Sequence, residues 1–279
     1  MTETDDPSPP ILVFKYGGNA MTNDTLKKEV LKSICSLQAK GYAIVIVHGG
    51  GPFIGQALDD AKIESEFIDG HRKTSPEAFE YVEMALKGKV NGSLTSIINS
   101  LGYKAVGLSG KDGEMVVASK RMHKRIEADE EALIDLGQVG DVARVNPTLL
   151  RILLLHNYIP VITCLAADKA GTGYNINADM FAGHIAGTLA AQQYVVLTDV
   201  DGLLRDKDDP STIIRNMRLP ETTGLISEGV IQGGMIPKIE SCEIAINKGA
   251  QAARIINGTQ PSQILEMMDG KSVGTLITP

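Results

Sequence analysis

Short apolar, β-branched runs alternate along this chain with longer stretches in which apolar positions recur every three or four residues. That alternation predicts a largely parallel sheet covered by helices. Ile11-Leu12-Val13-Phe14 and Ala43-Ile44-Val45-Ile46-Val47 are predicted strands; between them Leu26, Val30, Leu31, Ile34 and Leu37 form one stripe of a helix over about 23–40, ended by Gly41. A second helix is predicted over 52–61, with Pro52 in its first turn. A long helix over 76–101 carries Val82, Leu86, Val90, Leu94, Ile97, Ile98 and Leu101, a face wide enough for a core or a subunit interface. Further strands are predicted at 105–108, 159–162, 194–199 and 252–258, and helices at 146–156, 177–191 and 233–248, with a short helix before 274–278. The stretches 115–140, 168–174 and 203–220 read as hairpins or loops.

No internal repeat or low-complexity linker divides the 279 residues, so one domain over 11–279, built of two lobes sharing a sheet, is expected. Residues 1–10 are acidic and proline-rich, without the basic and apolar regions of a signal or transit peptide, and are expected to be a disordered tail. A formal net charge of −7 argues against nucleic acid as a partner. Cys35, Cys164 and Cys242 stand far apart in no metal-ligand spacing, which predicts reduced thiols in a cytoplasmic protein. The five histidines form no metal-binding pair, and no apolar run reaches the roughly 20 residues that span a bilayer.

Two strand exits carry candidate chemistry. His48-Gly49-Gly50-Gly51-Pro52 follows the second strand, and Lys15-Tyr16-Gly17-Gly18-Asn19 ends the first. Glycines there expose backbone N–H groups to an anion, and ligands of open α/β sheets bind outside the carboxyl ends of strands. The pair predicts a phosphate or carboxylate site. A P-loop is excluded, because Gly110-Lys111 is followed by Asp112 and lacks its upstream glycine. GxGxxG also fails, since Ile54 stands at the third glycine, although the triple glycine with Asp69 leaves a nicotinamide-linked dehydrogenase as an alternative.

The order of motifs resembles the amino acid kinase family. The likeness runs through the two glycine turns, Gly70-His71-Arg72-Lys73-Thr74, Gly107-Leu108-Ser109-Gly110-Lys111-Asp112-Gly113, Asn175-Ile176-Asn177-Ala178-Asp179, Leu197-Thr198-Asp199-Val200-Asp201-Gly202 and Gly233-Gly234-Met235-Ile236-Pro237-Lys238, covering 11–278. The Arg72 and Asn175 motifs narrow it to the branch that phosphorylates N-acetyl-L-glutamate. The resemblance implies a three-layer αβα sandwich with a central, mainly parallel sheet, an acylamino-acid lobe over about 11–190 and a nucleotide lobe over about 191–279. It implies transfer of the γ-phosphoryl of ATP, carried with Mg²⁺, to the side-chain carboxylate, a step of arginine biosynthesis.

By the same resemblance Lys15 and Lys238 contact the transferring group, Asp179 holds both lysines, and the Gly17-Gly18 and Gly49-Gly50 backbones donate to phosphate oxygens. Gly49, Gly50, Arg72 and Asn175 would bind the acceptor, with Arg72 on its α-carboxylate. Thr198, Asp199 and Gly202 would border the nucleotide. A homodimer joined through the 76–101 helix and adjacent strands, insensitive to arginine, is also implied.

Read without the resemblance, Asp179 is a carboxylate in a helix's first turn, Arg72 a solvated charge and His48 the donor or acceptor of a local hydrogen bond. The chain also departs from the family: Lys73-Thr74-Ser75-Pro76 stands where Val-Thr-Asp usually follows the arginine, and Cys164-Leu165-Ala166-Ala167 replaces a small, glycine-containing strand exit. These leave open N-succinylglutamate or a carrier-linked aminoadipate as acceptor. A non-catalytic amino-acid sensor on the same fold is a further alternative, though Lys15, Lys238 and Asp179 are all present.

Overall fold

A computed structural model describes residues 9–68, 71–127 and 130–279. Residues 1–8 of the expected tail, and Asp69 with Gly70, lie outside the described residues. The first strand, β1 (Ile11–Tyr16), leads to α1 (Asp24–Ser36), which begins where the Asn23 side chain accepts from the Leu26 N–H at 2.9 Å. β2 (Ala43–His48) runs through the triple glycine into α2 (Gly51–Asp60). A ribbon of β3 (Phe67–Ile68) and β4 (His71–Arg72) precedes α3 (Pro76–Glu83), a π-helical stretch Met84–Asn91 and α4 (Gly92–Ser100).

β5 (Ala105–Ser109) is followed by the long hairpin of β6 (Val116–Glu127) and β7 (Glu130–Val145), then α5 (Thr148–Leu155) and β8 (Ile159–Thr163). Short strands β9 (Leu165–Ala167) and β10 (Gly173–Ile176) lead into α6 (Ala178–Thr188). The rest comprises β11 (Gln193–Thr198), β12 (Asn216–Arg218), α7 (Thr222–Ser227), α8 (Ile236–Asn247), β13 (Ala253–Asn257), α9 (Ser262–Met268) and β14 (Thr275–Thr278).

Eight strands form one sheet in the order β12-β14-β13-β11-β1-β2-β8-β5, parallel except where β13 meets β14. Its central strands are buried on both faces, which is why they read as continuous apolar runs. Alternation sorts their side chains: Val13, Val45 and Val47 pack with α3, α5, α6 and α8, while Leu12, Phe14, Ile44 and Ile46 pack with α1, α4 and α9. The result is the expected three-layer αβα sandwich.

The predicted 76–101 helix exists as one run with a π-helical middle. Across that middle its apolar stripe changes sides, with Val82 and Leu86 in one core and Val90, Leu94 and Ile98 in the other. The stripe is consumed within the chain's own core, and Met84, 56% exposed, is the large apolar side chain the run turns outward.

Two further differences concern short strands. β9 and β10 close with the β6–β7 hairpin into a small four-stranded barrel, so the loop expected over 168–174 ends at Gly173. Asp168 makes that turn, its Oδ1 accepting from the N–H groups of Ala170 and Thr172, each at 2.9 Å. Within the 203–220 stretch β12 adds an edge strand with Met217 buried. Segments of three or four residues are too short to show a period in the sequence. The three cysteines are free and buried, and among the described residues no helix is long and apolar enough to cross a membrane.

Candidate functional site

β11, β1 and β2 are adjacent and parallel, with Lys15 in register with Val196 on one side and Val47 on the other. Their carboxyl ends therefore open on one edge of the sheet, where Gly17-Gly18, Gly49–Gly51 and Thr198-Asp199 emerge. The amino termini of α2, α6 and α8 start from this same edge, bringing the positive ends of three helix dipoles to it.

Two cavities open there. The first, about 280 Å³, is lined by Lys15, Gly17, Gly18, the triple glycine, Phe67, Arg72, Cys164, Asn175 and Asp179, with Ile54, Leu86, Val139 and Ile176 as apolar wall. The second, about 260 Å³, is lined by Lys15, Gly17, Gly18, Leu197, Thr198, Asp199 and Lys238. Lys15, Gly17 and Gly18 are common to both. The structure thus brings together all the residues singled out in the sequence except Gly202, which lines neither cavity. Gly202 packs against Thr275, whose Oγ1 accepts from the neighbouring Leu203 N–H at 2.8 Å, three residues beyond Asp199, which lines the second cavity.

Asp179 faces Lys15, with Oδ1 3.0 Å from Nζ and both side chains buried. It also sits in the first turn of α6, but the cap of that helix is Asn177, whose Oδ1 accepts from the N–H groups of Asp179 at 2.9 Å and Met180 at 3.2 Å. Capping is done by the neighbour, and the Asp179 carboxylate is left to the lysine. Lys238 stands in the first turn of α8, its Nζ donating to Gly234 O at 3.2 Å. Burial pushes its pKa below the ordinary lysine value and Lys15 adds to the lowering, while Asp179 pulls the other way. Asp179 therefore pairs directly with Lys15 and acts on Lys238 through space.

The triple-glycine turn is held from beneath by His48. Its ring is buried, with Nδ1 donating to Gly49 O at 2.8 Å and Nε2 accepting from Asn91 Nδ2 at 2.9 Å; Asn91 also donates to Val161 O at 2.9 Å. One nitrogen donates and the other accepts, so the ring is neutral, and burial pushes its pKa down to about 4. This is the local role expected of His48. The Gly49 N–H, however, donates to Tyr16 O at 3.1 Å. Gly49 therefore lines the cavity without donating into it, and Gly50 and Gly51, at the start of α2, are the turn's donors. At Gly50 a Cβ would stand 2.7 Å from Leu86 Cδ2, so any larger residue in the turn would have to displace the Leu86 side chain.

Arg72 reaches the first cavity from the β3–β4 ribbon. Its guanidinium lies 4.5 Å from the Phe67 ring centroid and donates to Ser65 Oγ. Burial lowers its pKa, and it makes no ion pair with a described carboxylate, so its charge is available to a ligand. The departures beside it have structural explanations. Lys73 is paired with Glu66 at 2.9 Å, and Ser75 accepts from the Ala78 N–H at 3.1 Å to start α3. The extra positive charge is neutralised outside the cavity. Cys164 presents a buried thiol, its pKa pushed up to about 12 by burial.

Phe67, Leu86, Val139 and Asn177 were not among the residues expected at the site. Asn177 was legible as a cap one residue before a helix. The others arrive on a two-residue ribbon, a π-helical stretch and a barrel strand, none of which the hydrophobic period reveals. Among the described residues no three His, Cys, Asp or Glu side chains gather to hold a metal. Asp199 is the carboxylate lining the second cavity, which suits a magnesium ion carried on phosphate oxygens and water.

The profile of the amino acid kinase family matches residues 10–257. An acetylglutamate kinase of Archaeoglobus fulgidus is 44% identical over 269 residues, covering 96% of this chain and 93% of its own. An acetylglutamate kinase of Heliobacterium modesticaldum is also 44% identical, over 268 residues, 95% of this chain and 91% of its own. Among solved structures, smu.665 from Streptococcus mutans UA159 superposes with a TM-score of 0.76 at 29% identity, covering 96% of this chain and 98% of its own.

Proposed function

This chain belongs to the amino acid kinase family, and from that premise we propose that its two cavities are the acceptor and donor sites of an ATP-dependent kinase acting on N-acetyl-L-glutamate. The product is the acyl phosphate of the side-chain carboxylate, a step of arginine biosynthesis. The observation that carries the site assignment is the wall of Lys15, Gly17 and Gly18 common to both cavities, since a group passing from one to the other must cross it.

The acceptor carboxylate, with a pKa of about 4.3, is ionised at neutral pH, so no general base is needed. The obstacle is repulsion between an anionic nucleophile and a polyanionic donor, and the remedy is positioning and positive charge about the equatorial oxygens of the moving phosphoryl group. Lys15 would meet that group from the acceptor side and Lys238 from the donor side. Asp179 keeps Lys15 placed, while the turns at Gly17-Gly18 and Gly50-Gly51 offer backbone N–H groups. Arg72 would take the acceptor's α-carboxylate and Asn175 its amide group, while Ile54, Leu86 and Val139 enclose the acyl methyl. Thr198 and Asp199 would border the nucleotide, and Mg²⁺ would ride on its phosphates.

The acylamino-acid lobe would comprise about 11–190 and the nucleotide lobe about 191–279, both within one cytoplasmic, homodimeric protein. Release of ADP with N-acetyl-L-glutamate, and not with N-succinyl-L-glutamate or free glutamate, is the expected result of a coupled assay. Equal turnover of all three, or none, would overturn the reading. A light-scattering mass of a single chain, 29.8 kDa, would remove the dimer.

A further inference from the structure

Tyr194, on β11, is fully buried, with its hydroxyl between the first turn of α6 and the second turn of α8. Its one hydroxyl hydrogen is shared between the main-chain oxygen of Asp179 and Ser241 Oγ, each 3.2 Å away, because Ser241 gives its own hydrogen to Lys238. Ser241 is buried on α8, and its hydroxyl donates to the main-chain oxygen of Lys238 at 2.7 Å. The two hydroxyls thus form a bridge from the residue that carries the acid on α6 to the residue that carries the second lysine on α8.

Packing alone does not require these oxygens. Phenylalanine and alanine would fill nearly the same space, and a buried hydroxyl is costly unless its hydrogen bonds are made. Once made, such bonds fix a geometry that apolar contact leaves free to slide. The helices are already in backbone contact here, since a Cβ on Gly183 would lie 2.4 Å from Ser241 O. Burial, with Asp179 adding to it, holds the Tyr194 phenol well above its ordinary pKa, so it stays a donor.

We infer that Tyr194 and Ser241 are positioning residues for phosphoryl transfer, their hydroxyl bridge setting the separation of Asp179 from Lys238 and so the placement of the two lysines. The inference rests on the roles proposed above for Lys15, Lys238 and Asp179. Neither hydroxyl is among the groups lining the two cavities. Their removal should therefore act on the transfer step and leave substrate binding nearly intact.

The test uses the full chain with ATP and N-acetyl-L-glutamate, comparing Tyr194→Phe, Ser241→Ala and the double variant. Misplacing a charge at the reacting group is expected to lower kcat about tenfold or more in each single variant. The KM of both substrates should stay within about twofold, and the double variant should be no worse than either single one, because the bridge acts as a unit. A lower melting temperature with unchanged kcat in both single variants would overturn the inference, as would losses that multiply. Ser241→Ala removes only one oxygen, so it keeps the test open where Tyr194→Phe folds poorly. A wild-type chain without acceptor-dependent ADP release, or an active Lys238→Ala variant, would overturn the kinase reading itself. Normal kcat in the bridge variants beside an inactive Lys238→Ala would overturn the bridge alone.

Discussion

Lys15 Nζ lies 3.0 Å from Asp179 Oδ1, and only 10% and 9% of the two side chains remain exposed. A buried pair of this kind is poorly replaced by one partner alone. Asp179→Asn leaves Lys15 and Lys238 repelling one another across the cavities, and kcat is expected to fall roughly 10²-fold or more. Asn177→Ala, two residues away, should instead cost about 1 kcal/mol of stability through the lost cap, with a smaller change in kcat. Steady-state kinetics and urea unfolding of both variants separate the two roles. Equal effects of the two substitutions would return Asp179 to the part of a helix-end carboxylate.

Lys15→Ala and Lys238→Ala are each expected to lower kcat by roughly 10²-fold or more, with smaller changes in KM, because their charge is needed mainly while the phosphoryl group is in transit. Initial-rate kinetics in both substrates check this. Near-normal kcat in either variant would show that the shared wall is not the path of transfer.

Arg72→Ala should act on the acceptor. A charge-assisted hydrogen bond is worth about 1.5–3 kcal/mol, so the KM for N-acetyl-L-glutamate should rise roughly ten- to hundredfold while that for ATP holds. Lys73→Ala, at a residue paired with Glu66, should change neither. An effect of Arg72→Ala confined to ATP would place the ribbon on the wrong substrate.

Acid should destabilise the fold through buried neutral histidine. Burial pushes both His48 and His184 down to about 4. The unfolded chain binds these protons near pH 6.5, whereas the native chain does so only near pH 4. Across that window the unfolded state holds more protons, so stability is complete above it and falls as the pH drops through it. The urea midpoint is expected to decline over this range, and His48→Gln to flatten part of the slope. A wild-type midpoint that stays level would show that His48 carries its proton in the native state.

The legibility of the chain followed burial. β1, β2, β8 and β11, covered on both faces, announce themselves as apolar runs, and the glycine turns at their ends mark the ligand edge. Lys15, Asp179 and Lys238 come from three distant segments, so their meeting needed either a resemblance or the folded chain. The π-helical stretch was invisible because its apolar residues keep helical spacing while changing cores between Leu86 and Val90. A glycine after a strand looks alike in the sequence whether it cradles a phosphate or packs on a side chain, as Gly202 does on Thr275. The Gly49 N–H could not be assigned from letters, since its partner, Tyr16 O, is thirty-odd residues away on the adjoining strand.

Because the strand bearing Lys15 lies between the two cavities, their placement is tied to the spacing of neighbouring strands, about 4.8 Å, which the backbone ladder sets. The parts that line the first cavity alone, the ribbon strands bearing Phe67 and Arg72 and the barrel strands bearing Val139, Asn175 and Ile176, are appended to this frame. A changed ribbon would admit a differently shaped carboxylic acid while inheriting the donor half intact. Selection for a new substrate, in nature or in the laboratory, has an interchangeable module to work on and a fixed gauge to work against.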